Sequence, residues 1–450
     1  MSNKRAEQVL CIASLAIVML FACSILVRTA TQLILVKRMG ITNAFTDMVL
    51  FDVQNLNEER SVDWVALYPF SDAEKPAQAA EKQKSRLSAA IDKVTKKVDS
   101  VKSRVDTNTT DYLVGYQTMV NAAKKYEDVI QWNYTSFAEY NGIVKLDDGY
   151  LTSLVAKKDV SEVANSTIEL ANYCERKGID FLYIQAPYKI SKYDDKSISG
   201  TVDFSNQNAD AFLALLEDAG VDTFDIREVI FDEKLPHHEL FYRTDHHWRA
   251  ETGFWASRHI LQLLKESYGY DIDPSVLDNN KFDSVDYPAW FLGSQGKKVT
   301  LSVTTPDDFS LLYPKYPTDF HYVIPDKEID VDGDFSVTYD MSQVDVVDYY
   351  NKSPYLAYNY GNRPLITVEN KLCPDNGKIL LIHDSFGDAV ISFLSLGLKN
   401  VAALDLRYFT GSVHSFIESE KPDAVLLLYN PNSFGDSVDW STHKSPFDFR

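Results

Sequence analysis

Cysteine is scarce in this chain of 450 residues: Cys11 and Cys23 lie near the N-terminus, and Cys174 and Cys373 stand far apart in the remainder. No Cys-x-x-Cys pair occurs, which leaves a zinc ribbon or a thioredoxin-like redox site without support. Cys174 and Cys373 are open to pairing outside the cytosol, but a large domain is stable with both thiols free. Positive charge is also in the minority. With 45 Lys and Arg against 65 Asp and Glu, the formal charge is -20. Such a surface repels phosphate backbones, so nucleic acid is not expected as a partner. Histidine is rare as well, nine residues in all, which makes each one beside a carboxylate worth reading.

Long apolar runs are absent except for one. Val9 to Val27 carries no charge and is bracketed by Lys4, Arg5 and Arg28. At 1.5 Å per residue this run covers about 28 Å, close to the thickness of a bilayer core. A cleaved signal peptide is the competing reading, but its apolar stretch is usually shorter and ends at small residues. Here Ser24-Ile25-Leu26-Val27 carries the apolar run on past Cys23. The expectation is a single-pass anchor in the cell membrane. Lys4 and Arg5 favour a cytoplasmic N-terminus, against Arg28, Lys37 and Arg38, and this places the large C-terminal part outside.

Three regions follow from composition and pattern. Residues 1–40 form the anchor and its flank. In residues 41–140, Leu87, Ile91, Val94, Val98, Val101 and Val105 recur at alternating spacings of four and three, an a/d seam. A second helical pattern runs through Leu113, Tyr116, Val120, Ala123 and Tyr126 after a polar break, so a helical hairpin is expected. It serves either as a docking stalk or as a hairpin packed on its own domain. From about residue 141 to the end, helices and strands alternate.

In that last region a helix over Val160–Lys177 leads through Gly178 into a strand at Asp180–Gln185, and a helix over Asn206–Ala219 leads into Val221–Asp225. Further strands are predicted at Lys378–His383, Asn400–Asp405 and Asp423–Tyr429. Short, nearly continuous apolar strands between helices imply an α/β fold with a parallel sheet and helices on both faces. Between about Tyr270 and Leu372 the rhythm is lost, and this Tyr-, Pro- and Asp-rich stretch reads as a β and loop insertion. Ligand sites in open parallel sheets lie beyond the carboxyl ends of the strands, so the insertion is placed to wall a cleft.

Two stretches carry chemistry. In Thr244-Asp245-His246-His247-Trp248, a carboxylate two residues before a histidine can orient the imidazole from one side and leave the other nitrogen for a substrate. In His383-Asp384-Ser385-Phe386-Gly387, a serine follows a strong apolar strand, where the turn into the next helix offers free N–H groups for an oxyanion. A serine there is equally an ordinary helix cap.

Together these stretches resemble a family. Asp245-His246-His247-Trp248 looks like the signature of DHHW proteins, which are similar to the periplasmic alginate O-acetylation proteins and to SGNH-like hydrolases and acyltransferases. Tyr183–Lys189, Thr244, Asp384-Ser385 and Asp405–Tyr408 support the resemblance, which covers about Asn141 to Asn430. It implies an SGNH-like, flavodoxin-like domain over 141–450, with Ser385 as nucleophile, His247 as general base and Asp245 as its orienting carboxylate. The order of these residues is reversed from ordinary SGNH enzymes, as in a circular permutation. His246 is the less favoured base, and Trp248 is expected to fix the loop by packing.

Oxyanion donors are expected from the Ser385 N–H and from Tyr429 or Asn430, although Asn430-Pro431-Asn432 is also strong turn chemistry. Lys189 and Arg243 are candidates for binding substrate or bracing Asp245, while Asp405 and Arg407 read as structural. His237-His238-Glu239, the Asp-His-His triplet and His383-Asp384 are also metal-ligand types. A two-metal phosphoesterase would need several further carboxylates on strand ends, and no Asp-x-Asp stretch stands on a convincing strand. The resemblance implies acetyl transfer to a cell-envelope or exported polysaccharide, without a cofactor, with a membrane-bound O-acyltransferase as acetyl donor. An esterase with the same triad is the nearest alternative, and a noncatalytic polysaccharide-binding or assembly protein is another.

Overall fold

A computed structural model of the chain describes residues 142–146, 148–193, 202–434 and 445–449. The expected anchor and the helical hairpin lie outside the described residues. Among the described residues, no helix is long and apolar enough to cross a membrane.

Successive residues of a strand face opposite sides of a sheet, and here both sides are buried. The central sheet is built from β3 (Asp180–Gln185), β4 (Thr223–Asp225), β7 (Phe320–Ile324), β8 (Ile329–Gly333), β9 (Leu365–Asn370), β10 (Lys378–His383), β11 (Asn400–Leu404) and β12 (Ala424–Tyr429). Leu182, Ile184, Ile379, Leu381, Leu426 and Leu428 enter one core, together with residues of α4 (Ala250–Tyr268) and α6 (Ile391–Gly397). Their alternates Phe181, Tyr183, Leu380, Ile382, Val425 and Leu427 enter the other, against α1 (Ser161–Lys177), α2 (Ser205–Asp218) and α7 (Val413–Glu420). Helices therefore cover both faces, as the continuous apolar strands imply.

The strand order is β4-β3-β12-β10-β11-β9-β7-β8. The first five strands are mutually parallel, whereas β9, β7 and β8 each pair antiparallel to the preceding strand. The sheet is thus mixed, which corrects the expectation of a parallel sheet. The three antiparallel strands come from the stretch read as an insertion, which extends the sheet instead of only walling it. Their signal is of a different kind: Phe320, Tyr322 and Ile324 are buried while His321 and Val323 are only partly so, the alternation of a strand buried on one face. The same stretch also forms a separate antiparallel pair, β5 (Phe282–Phe291) with β6 (Asp307–Pro314). A short pair, β1 (Val144–Lys145) with β2 (Leu151–Thr152), precedes α1. Cys174 and Cys373 are both free thiols.

What positions the site is the carboxyl edge of the parallel strands. The chain leaves β10 at His383 directly into Ser385, and it leaves β12 at Tyr429 directly into Asn430. Helix α4 starts just after Trp248 and seats its first turn on the turn that follows the serine. A Cβ placed on Gly253 would lie 2.3 Å from the Ala389 carbonyl oxygen, so only glycine permits this approach. Trp248 reinforces the contact by donating its indole N–H to the Phe386 carbonyl at 3.1 Å. Two segments 138 residues apart are in this way locked side by side.

Candidate active site

The Asp-x-His segment is a tight loop. Phe241 and Trp248 close it as an antiparallel bridge, and Asp245 accepts the His247 backbone N–H at 3.0 Å, an Asx-type turn. The same Oδ1 meets His247 Nδ1 at 2.6 Å. The opposite ring nitrogen, Nε2, lies 2.6 Å from Ser385 Oγ. All three residues are buried. This is the geometry of an oriented base beside a hydroxyl nucleophile.

Burial alone would raise the Asp245 carboxyl. The charges of His246 and His247, with hydrogen bonds from His247 and the Ser294 N–H, outweigh it and hold the group well below the usual carboxylate range. Ser294 N–H reaches Asp245 Oδ2 at 2.6 Å. Gly293 permits this, because a Cβ there would lie 2.2 Å from Asp245 Cβ. Thr244 is fastened in turn: its backbone N–H and hydroxyl both donate to Asp307 Oδ2, at 2.8 and 2.6 Å. Burial and the His247 charge push His246 down despite Asp245, and its Nδ1 lies 3.0 Å from Ser294 Oγ. His246 flanks the relay without entering it.

The turn holding the serine is organised by Asp384. Its carboxylate accepts from the Phe386 N–H at 2.9 Å, the Asn430 N–H at 2.8 Å, the Asn430 side-chain amide at 2.6 Å and the Ser433 hydroxyl at 2.7 Å. Four donors on one buried carboxylate tie the end of β10 to the end of β12. Among the described residues the Ser385 N–H donates to no backbone carbonyl.

The remaining sequence candidates fall elsewhere. Tyr429 is buried and donates its hydroxyl to the Pro446 carbonyl, so it cannot supply an oxyanion donor. Asn430 gives a side-chain amide N–H to Asp384, a bond that serves the turn. Arg243 donates to Thr305 and Pro306 carbonyl oxygens at 3.0 and 3.3 Å, clamping the chain before β6 instead of meeting the site. Lys189 is a brace. Its buried ammonium donates to the carbonyls of Asp245 and Leu151 and, at 3.1 Å, to Gln295 Oε1. Burial, partly offset by Asp245, Asp307 and Asp148, pushes this ammonium down to about 7. Arg407 pairs with Asp405 at 2.6 Å and with Asn362, a structural link.

One residue had no signal in the sequence. Tyr355, from the insertion, donates its hydroxyl to the Ser385 carbonyl at 3.0 Å and lays its ring on the His247 imidazole. One tyrosine of the 26 in the chain could not have been singled out. As for metals, Asp245, His246 and His247 have ligand atoms within 4.8 Å of one another. Both ring nitrogens of His247 are already committed, to Asp245 and Ser385, so an ion there would compete with that relay.

The fold is SGNH-like: an α/β domain with a mixed central sheet and helices on both faces. Residues 146–276 match the family model described as the SGNH hydrolase-like domain of the acetyltransferase AlgX. Among solved structures, PatB1 of Bacillus cereus with a sulfonyl adduct is 18% identical with a TM-score of 0.56, covering 69% of this chain and all of its own. A DHHW family protein from Eubacterium siraeum is 17% identical (TM-score 0.49; 66% and 93% covered). The O-acetyltransferase domain of Pseudomonas putida AlgJ is 11% identical (TM-score 0.40; 67% and 95% covered). No curated protein matches the chain. The resemblance to the alginate O-acetylation proteins read from Asp245–Trp248 is borne out by the AlgX-type model over residues 146–276.

Proposed function

We propose that the chain is an extracytoplasmic O-acetyltransferase that moves acetyl groups to hydroxyls of a cell-envelope or exported polysaccharide through a serine acyl-enzyme. The observation that carries this reading is the continuous relay Asp245–His247–Ser385, with 2.6 Å at each link. In the first half-reaction Ser385 Oγ attacks the acetyl carbonyl carbon, and its proton passes to His247 Nε2. The Ser385 N–H meets the developing oxyanion; such a donor lowers a barrier by about 2.7–4 kcal/mol. The intermediate collapses, the donor's oxygen leaves with the proton from His247, and an acetyl ester remains on Ser385. In the second half His247 takes the proton of a sugar hydroxyl, whose oxygen attacks the ester carbonyl, and the bond to Ser385 Oγ breaks as His247 returns the proton to that oxygen.

Asp245 holds the imidazole in the tautomer that accepts from serine and balances the imidazolium that forms. The AlgX-type domain match supports the acetyltransferase reading over a generic hydrolase. Within it, residues 9–27 anchor the chain in the membrane, the catalytic domain lies outside, and a membrane-bound O-acyltransferase supplies the acetyl group. An esterase differs only in admitting water to the acyl-enzyme.

The test is to incubate the full-length protein with p-nitrophenyl acetate and an oligosaccharide panel. The expected results are an acetyl adduct on Ser385 in the intact mass and acetyl appearing on sugar. Ester cleavage without any sugar product would replace this reading by an esterase. No cleavage and no labelling of Ser385 by a sulfonyl fluoride would replace it by a noncatalytic protein.

A further inference from the structure

A second concavity lies on the same edge of the sheet as Ser385. It has a volume of about 550 Å³ and is lined by the chain leaving β3, by α3 (Ile226–Asp232) and by residues near His238. On this edge β12 alone separates β3 from β10, the strand that leads into Ser385. The two are also linked through the protein, because Tyr150 lines the concavity and its ring lies 6.0 Å from the Lys189 ammonium that braces Asp245.

Its lining decides what can bind. Tyr193 and Phe231 are 46% and 53% exposed, and their rings pack against each other tilted by 33° with centroids 4.1 Å apart. Glu228 holds the Tyr193 hydroxyl and also pairs with Lys192 at 2.8 Å, so the aromatic pair is fixed before any ligand arrives. Around the rings the charges cancel: Arg227 is paired with Asp225 and Asp210, each at 2.7 Å, and Lys192 with Asp210 and Glu228. Lys234 and Glu239 add one charge of each sign to the lining. In the wall, His238 is 7% exposed, its Nδ1 is held by Asp148, and its Nε2 has no partner among the described residues.

A neutral ligand with apolar faces and many hydroxyls matches an exposed aromatic pair set among balanced polar groups. We propose that this concavity is a saccharide-binding subsite that holds rings of the acceptor chain remote from the hydroxyl acylated at Ser385. The acceptor role rests on the acyltransferase reading above, while saccharide binding is measured without any acyl transfer.

The probes are cellotetraose and chitotetraose, titrated calorimetrically against the full-length protein and the Tyr193→Ala/Phe231→Ala double variant. At least one tetrasaccharide binds the wild type, and the double variant weakens it by tenfold or more. Phe231→Trp, which keeps an aromatic face, retains the affinity. Cleavage of p-nitrophenyl acetate is unchanged in every variant, since neither ring touches the serine relay. If the double variant fails to fold, Phe231→Leu alone carries the same comparison. No binding of either tetrasaccharide at millimolar concentration, or equal binding by wild type and variant, overturns the proposal. A proline-rich peptide that binds these residues when the sugars do not also overturns it. Absent ester cleavage with intact tetrasaccharide binding overturns the acyltransferase reading and leaves the subsite standing.

Discussion

The Tyr355 ring lies nearly flat on the His247 imidazole, with centroids 4.1 Å apart and planes inclined by 12°, while its hydroxyl holds the Ser385 carbonyl at 3.0 Å. One side chain from the insertion therefore touches both His247 and Ser385. Removing the hydroxyl leaves a buried carbonyl short of a donor, a loss of about 1–3 kcal/mol. Tyr355→Phe is expected to lower kcat for p-nitrophenyl acetate about tenfold with KM little changed, at about 1.4 kcal/mol per decade. Tyr355→Leu, which also removes the stack, falls further. An unchanged kcat in both would show that the contact is idle.

Ser385→Ala removes the nucleophile and should abolish ester cleavage, with His247→Ala close behind. Asp245→Asn leaves the loop but spoils the tautomer, and a loss on the order of 10⁴-fold is expected by analogy with such triads. Combining the substitutions adds little, because the residues act as a unit. Melting curves of Ser385→Ala should match the wild type, which separates lost chemistry from lost folding.

Two contacts set Asp245 from outside the relay. Gly293→Ala drives a methyl group into Asp245, since the added Cβ would sit 2.2 Å from its Cβ, and overpacking of this kind costs about 1–3 kcal/mol. Lys189→Met removes the ammonium from the Asp245, Leu151 and Gln295 oxygens. Both variants are expected to lose kcat by about 10–100-fold while KM for the small ester holds, each decade being about 1.4 kcal/mol. A rise in KM alone would move Lys189 from positioning to substrate binding.

Asp388 is buried, and neither carboxylate oxygen has a hydrogen-bond partner among the described residues. Burial first, and then the charge of Asp405, raise its carboxyl well above the usual range despite Arg407. The folded protein therefore keeps a proton that the unfolded chain releases, and stability from this group is full below about pH 4 and lost as pH rises toward the folded value. Asp388→Asn has no proton to lose. Its melting temperature should exceed that of the wild type by a few degrees at neutral pH, with the gap closing toward about pH 4. A constant gap across that range would assign the effect to packing instead.

Much of the domain could be read in advance because its signals are local. The strand Lys378–His383 ends where its apolar run ends, and α1 stops at Lys177 before Gly178. The Asp245–His247 pairing is also local: two residues of separation and an Asx turn suffice to bring the carboxylate to the ring. The strands β7, β8 and β9 were not legible as part of the sheet, because an antiparallel strand buried on one face carries a weaker pattern than a fully buried one.

The sequence by itself determined the α/β rhythm, the Asp-x-His loop and the serine at the end of a strand, since each depends on backbone and burial preferences over a few residues. Tertiary structure alone decided that His247 meets Ser385 across 138 residues, that Asn430 binds Asp384, and that Tyr355 covers the imidazole. Those outcomes depend on strand order and on the close seating of α4 at Gly253. Strand order and seating come from the summed packing of two cores, which no short segment encodes.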